Sequence, residues 1–271
     1  MALIGACSSS PRPGGTANNA ATNTTTTTLP PVLGPLRLTS QQPVSAVYAQ
    51  GVARVPDGWI FSGTNSLWRT DNALDEVTSL NPALPPALTA RGFDHIGDID
   101  VIGEYIYAPL EQPDYAKGMQ GTARFDRKTL HFVDFVRLAQ HENSFVTIDP
   151  KTMVAYTMDH FDGNALLRYD VAHGWKRLAP LRLSMTLHHT QGADILNGVI
   201  WISTSDPQNH LYGIDERTGK VRPDGSMGHT GGNGEGEGLD ATALASGSVH
   251  TICVDPKINP VWFEHYRVGR A

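Results

Sequence analysis

Three histidines and one glutamate stand at an almost constant interval. His95, His141, His189 and Glu237 are separated by 46, 48 and 48 residues. Imidazole nitrogen with carboxylate oxygen is a borderline donor set. It suits zinc, iron(II) or manganese better than calcium, which takes about six to eight oxygens. Brought to one point, the four would hold a divalent cation with an open coordination position. Such an ion lowers the pKa of a bound water or polarises a substrate oxygen. Neighbouring residues extend that chemistry: Glu142 or Asp98 as general base, with Gln50 and Gln191 as amides beside the substrate. The plainer alternative is structural, with each imidazole bonded to a neighbouring carbonyl.

Four residues so far apart can meet only if the chain repeats. Aligned from His95 and His189 without a gap, Asp100 falls on Asp194, Val101-Ile102 on Ile195-Leu196, and Tyr105-Ile106-Tyr107 on Val199-Ile200-Trp201. Counting back about one period from His95 reaches Tyr48, which opens a first copy. A second periodic element is an alternating apolar run ending in Asp: Trp68-Arg69-Thr70-Asp71, Arg124-Phe125-Asp126, Arg168-Tyr169-Asp170 and Gly213-Ile214-Asp215. Short strands and tight turns at about 40–50 residues per unit are the signature of a β-propeller. The chain length holds five units of about 47 residues, so the expected fold is an all-β, five-bladed propeller. Innermost strands line a central channel, and the anchor residues begin those strands. Leu33–Thr39 is expected to pair with the last blade and close the ring, and Asp100 and Asp194 to bond the next inner strand.

Loops between the second and third strands carry a further set of polar residues. Glu111, Asp159, His160 and Asp206 occupy the same place in three blades and, if that place faces the mouth, would bind substrate. Two such carboxylates flanking a sugar bond would be glycosidase chemistry. The glycine-rich segment Gly228–Asp240 lacks the Lys-Ser/Thr ending of a phosphate loop, which argues against nucleotide binding. Its end, Glu235-Gly236-Glu237-Gly238-Leu239-Asp240, resembles an inner-strand start in the lactonase and phosphotriesterase-like propellers and in esterase-like phytase domains. That resemblance implies that Glu237 or Glu235 binds an axial metal, calcium in the best-known members. The other anchors here are His where those families use Asn or Asp.

Composition narrows the classes. A net charge of −6 gives no basic footprint for nucleic acid, and the chain has only two cysteines, Cys7 and Cys253. Residues 8 to 31 are dominated by Ser, Thr, Asn, Ala, Gly and Pro, too poor in apolar surface to form a core. The preceding Ile4-Gly5-Ala6-Cys7 resembles a bacterial lipobox, which implies lipid attachment at Cys7. The expected organisation is a lipobox-like start and tether over 1–32, then one propeller domain over 33–271. The expected function is an extracytoplasmic, monomeric, metal-dependent hydrolase or lyase acting on a small ester, lactone, phosphoester or sugar. The alternatives are a surface-tethered propeller that binds a glycan or protein without catalysis, and the glycosidase.

Overall fold

The computed structural model describes residues 35–228, 234–255 and 260–268. The lipobox-like run, the Ser/Thr-rich tether and residues 229–233 of the glycine-rich segment lie outside them. The described chain forms five antiparallel sheets arranged as the blades of a propeller. Blade one contains β2 (Gly51–Val55), β3 (Gly58–Gly63), β4 (Ser66–Asp71) and β5 (Glu76–Leu80). In blade two the innermost strand is broken into β6 (His95–Ile96) and β7 (Asp100–Ile102), followed by β8 (Tyr105–Glu111), β9 (Gln120–Asp126) and β10 (Phe132–Leu138). Blade three contains β11 (Thr147–Asp149), β12 (Val154–Thr157) and β13 (Asp162–Asp170), with β14 (Lys176–Arg177) and β15 (Leu181–His188) both pairing with β13. Blade four runs through β16 (Thr190–Leu196), β17 (Val199–Thr204), β18 (His210–Asp215) and β19 (Val221–Ser226). Blade five has β20 (Glu235–Asp240), β21 (Ser248–Val254) and β22 (Val261–Val268). Its outermost strand is β1 (Leu36–Val44), paired antiparallel with β22 from Leu36 opposite Val268 to Val44 opposite Val261. The ring is thus closed by the start of the domain, as its sequence pattern indicates.

Packing explains why the second strands read as apolar runs rather than alternating ones. Each blade presses one face on each neighbour, so β3 and β17 are buried along their whole length. Five apolar clusters result, one for each interface. Ile60 and Leu67 meet Ile106 and Phe125 between blades one and two, Tyr107 meets Ile148 and Tyr169 between two and three, and Tyr156 meets Ile200 and Ile214 between three and four. Trp201 and Leu239 join blades four and five, and Phe61 and Phe263 join five and one. The recurrent Asp at the end of each third strand makes the turn into the fourth. Asp126 Oδ1 accepts N–H groups from Lys128 and Thr129, and Asp215 Oδ1 those of Arg217 and Thr218.

Candidate functional site at the channel mouth

The axis is built from small residues and one carboxylate. Gly51, Gly97, Ser144, Gly192 and Gly238 occupy corresponding places in the five inner segments, where neighbouring backbones nearly touch. A Cβ on Gly97 would fall 2.1 Å from the Ser144 carbonyl oxygen, and one on Gly238 would fall 2.7 Å from Gly51 Cα. At the four glycines a side chain is excluded by space alone. Inner strands have no partner towards the axis, so their inward N–H groups need acceptors. Asp98 supplies them. Its Oδ1 accepts the Val52 N–H at 3.2 Å, while Oδ2 accepts those of Ala193 at 3.0 Å and Leu239 at 3.3 Å. Its own N–H donates to Ser144 O at 2.8 Å, so one residue joins blade two to the other four. Burial pushes the Asp98 carboxyl well above the usual range, against the pull of those three donors.

Above Asp98 opens a cavity of about 220 Å³, lined by side chains from all five blades. Gln50, Gln191 and Glu237 each stand immediately before one of the axial glycines. In β16 and β20 that place is a β-bulge, with register shifts between Thr190 and Ala193 and between Gly236 and Gly238. Bulges re-aim side chains and are frequent beside functional sites. Glu235 also lines the cavity and accepts the Gln191 Nε2–H at 2.6 Å. Burial, reinforced by Glu235, pushes the Glu237 carboxyl well above its ordinary pKa. The Glu237 carboxyl has no hydrogen-bonding partner among the described residues.

Blade two contributes His95 and Glu111, which are directly opposite each other on β6 and β8. Burial lowers the His95 pKa, with Asp94 acting the other way. Glu111 is buried, and that burial raises its pKa against the hydrogen bond it accepts from Asn143 N–H at 2.5 Å. The Tyr115 hydroxyl donates to Glu111 Oε2 at 3.3 Å, and burial beside that carboxyl pushes the phenol up to about 12. A second cavity of about 240 Å³ adjoins the first and shares His95, Glu111 and Tyr115. From blade three, His160 and Phe161 complete the wall. His160 Nδ1 donates to the Thr190 carbonyl at 2.8 Å, which leaves Nε2 as the free ring nitrogen.

The structure divides the residues expected from sequence into two groups. Gln50, His95, Asp98, Glu111, His160, Gln191 and Glu237 line one cavity. His141, His189, Glu142, Asp159 and Asp206 do not. The exposed His141 ring donates through Nδ1 to Tyr115 O at 2.9 Å. His189 is exposed on the rim, its ring centroid 5.6 Å from that of His160. Glu142 Oε2 accepts the Phe161 N–H, and Asp159 Oδ1 accepts the Glu142 N–H. Asp206 shapes its own turn, accepting N–H groups from Gln208 and His210. Among the described residues no three His, Cys, Asp or Glu side chains form a group able to hold a metal ion. The expected set of three histidines and one glutamate therefore does not converge, and the cause is register. Counted from the axial small residue, His141 and His189 are three places before it, His95 two and Glu237 one. His141 and His189 precede their inner strands in connecting segments, His189 with a left-handed φ of 52°, whereas His95 lies on β6 and Glu237 at the β20 bulge, so near-constant spacing did not mean a common direction. Asp98 lines the cavity, but both of its oxygens are engaged by backbone. Three contributors were passed over, Tyr115, Phe161 and the pairing of Glu235 with Glu237. The legible signal was the repeated Gln/Glu-Gly dipeptide at 50–51, 191–192 and 237–238.

No protein-family model and no curated protein matches the chain. Among solved structures it is similar to the Kuenenia stuttgartiensis hydrazine synthase, with 13% identity over 81% of this chain and 59% of that one and a TM-score of 0.49. A chain of a mitotic checkpoint complex gives 8% identity, 93% and 68% coverage and a TM-score of 0.45. The Dos1 propeller gives 13% identity, 79% and 66% coverage and a TM-score of 0.43. The chain thus spans less than two thirds of the hydrazine synthase chain.

Proposed function

We propose that the wide mouth is the active centre of an extracytoplasmic hydrolase that cleaves a small ester, lactone or glycoside by carboxyl acid–base chemistry. The observation that carries this reading is the Glu235–Glu237 pair, two carboxyls on one strand sharing one cavity. Adjacent carboxyls in different environments are driven to different protonation states, which is how acid and base roles are divided. Glu237, its proton retained by burial and by Glu235, donates it to the leaving oxygen. Glu235, oriented by Gln191, takes a proton from the attacking water. Glu111, Gln50 and His160 hold the substrate. No step is routed through a metal ion, because His141 and His189 do not share the cavity with His95 and Glu237. A phosphoester fits less well, since among the described residues no Lys or Arg lines the cavity to meet its charge. The lactonase-like Glu-Gly-Leu segment supports the hydrolase reading, and the lipobox-like Ile4-Gly5-Ala6-Cys7 before a Ser/Thr-rich stretch supports the placement outside the cytoplasm.

A second reading, ligand binding without turnover, draws on Asp98 and Glu111, both engaged by backbone N–H groups. Hydrolysis of a panel of chromogenic esters, lactones and glycosides separates the two. Glu237→Gln and Glu235→Gln are each expected to lose at least about a hundredfold in kcat/KM while remaining folded. Turnover by Glu237→Gln at the wild-type rate overturns the acid–base assignment. Tight ligand binding with no turnover of any class selects the second reading.

A further inference from the structure

We propose that the ligand of the wide mouth is a small organic ammonium ion. This rests on taking that cavity as the ligand site, but not on whether the ligand is turned over. Charge comes first. Asp98, Glu111, Glu235 and Glu237 all face the space, and among the described residues no Lys or Arg lines it. Acid groups gathered without a described basic partner favour a cation, which stabilises their ionised forms as it enters. The second observation is Glu237 itself, half-buried in the cavity wall and without a hydrogen-bond donor among the described residues. Its unbonded carboxyl is therefore open to a donor carried by a ligand that enters the cavity.

Shape and wall chemistry favour an organic cation over a bare metal ion. The carboxyls surround a space of about 220 Å³ rather than converging, and no three of the His, Cys, Asp and Glu residues described form a metal-holding group. Two aromatic residues, Tyr115 and Phe161, are part of the wall. Phe161 is 48% exposed at the rim, an unusual place for so large an apolar ring, and is braced by His160 with centroids 4.7 Å apart. Carboxylate with an aromatic face is the combination that recognises alkylammonium groups. Binding would also be linked to protons. Glu237 shares the cavity with Glu235 on its own strand, with Asp98, His95 and Glu111 from blade two, and with His160 from blade three. A cation entering this group favours the ionised form of Glu237 and so expels a proton, which makes affinity rise with pH.

Calorimetric titration with choline, ethanolamine and 3,3-dimethylbutan-1-ol, the uncharged isostere of choline, tests the inference. At least one ammonium is expected to bind ten times more tightly than the isostere, with proton release near neutral pH. Glu237→Gln should lose at least tenfold in that affinity. Phe161→Ala, at an exposed position where folding is not at stake, should also weaken it. The proposal is overturned if the isostere binds as well as choline, or if neither ammonium binds at millimolar concentration. It is equally overturned if chelator-treated protein takes up zinc or calcium stoichiometrically at Glu237 and then excludes choline. Ammonium binding without hydrolysis would leave this site standing and remove the hydrolase reading. Hydrolysis of neutral esters with no ammonium binding would do the reverse.

Discussion

Asp98 occupies a position where any side chain other than a short double acceptor would leave backbone donors stranded. Val52, Ala193 and Leu239 present N–H groups to the axis with no strand beyond them, and the same carboxylate receives all three. Each stranded buried donor costs about 1–3 kcal/mol. Asp98→Ala is therefore expected to destabilise the fold by on the order of 3–5 kcal/mol in denaturant unfolding. Asp98→Asn keeps the shape but turns an amide N–H2 towards an N–H donor, and should cost at least about 1 kcal/mol. A wild-type midpoint for both variants would show that the axial bonds carry no stability. At this scale the sequence was legible only in part. The residue types that face the mouth were foreseen at Gln50, His95, Gln191 and Glu237, because polar anchors recur at the blade period. The companions His141 and His189 were misread, since spacing alone does not reveal a slip of one or two places. Bulges at Gln191 and Glu237 re-aim side chains, and no periodic count detects them.

Strands and turns were far more legible than side-chain directions. The recurrent Asp at the end of each third strand is visible in sequence because it answers a local need, the capping of a hairpin turn. Apolar second strands are visible because both faces are covered by neighbouring blades. The split of blade two's inner strand into β6 and β7 was not visible, because it arises where Asp98 leaves its own sheet to bond the others. Two element-level expectations follow. Removing residues through Val44 deletes the ladder in which β1 is paired with β22, and should lower stability by several kcal/mol at about 0.5–1.5 per net hydrogen bond. Mostly exposed, β1 acts through this ladder rather than through core burial. An unchanged melting temperature would show that the ring does not need this closure. Gly97→Ala should cost about 1–3 kcal/mol by forcing backbones apart at the axis, since its Cβ would meet the Ser144 carbonyl rather than a side chain. A neutral result would mean that the inner strands yield freely.

Across the whole molecule the channel has two unlike ends. The narrow end holds Asp100, which accepts the Ile148 N–H at 2.7 Å, and Asp194, which accepts the Ala241 N–H at 2.6 Å; each bonds the next blade as expected from their alignment. Asp240 shares that end, close to Arg54. Burial raises all three carboxyls, Asp100 to about 6, as it raises Asp98, Glu111 and Glu237 nearer the wide mouth. A carboxyl whose folded pKa is raised binds its proton more firmly in the native state. Its contribution is therefore greatest in acid and falls as pH climbs from the unfolded value through the folded one, for Asp100 from 3.8 to about 6. Histidines work against this trend. Burial, followed by His265 and Arg54, drives His250 down to about 3, so this group's stabilising contribution is lost as pH falls from 6.5 towards that value. Six raised carboxyls along the channel oppose the lowered His250, His95 and His265. With more raised carboxyls than lowered histidines along the channel, thermal stability is expected to be higher on the acid side of neutrality and to decline towards pH 8. In Glu237→Gln that decline should be shallower, because one proton-holding carboxyl is gone. A melting temperature that keeps rising from pH 5 to pH 8 would mean that the axial carboxyls are ionised without penalty. It would also remove the protonated Glu237 on which the acid–base reading depends.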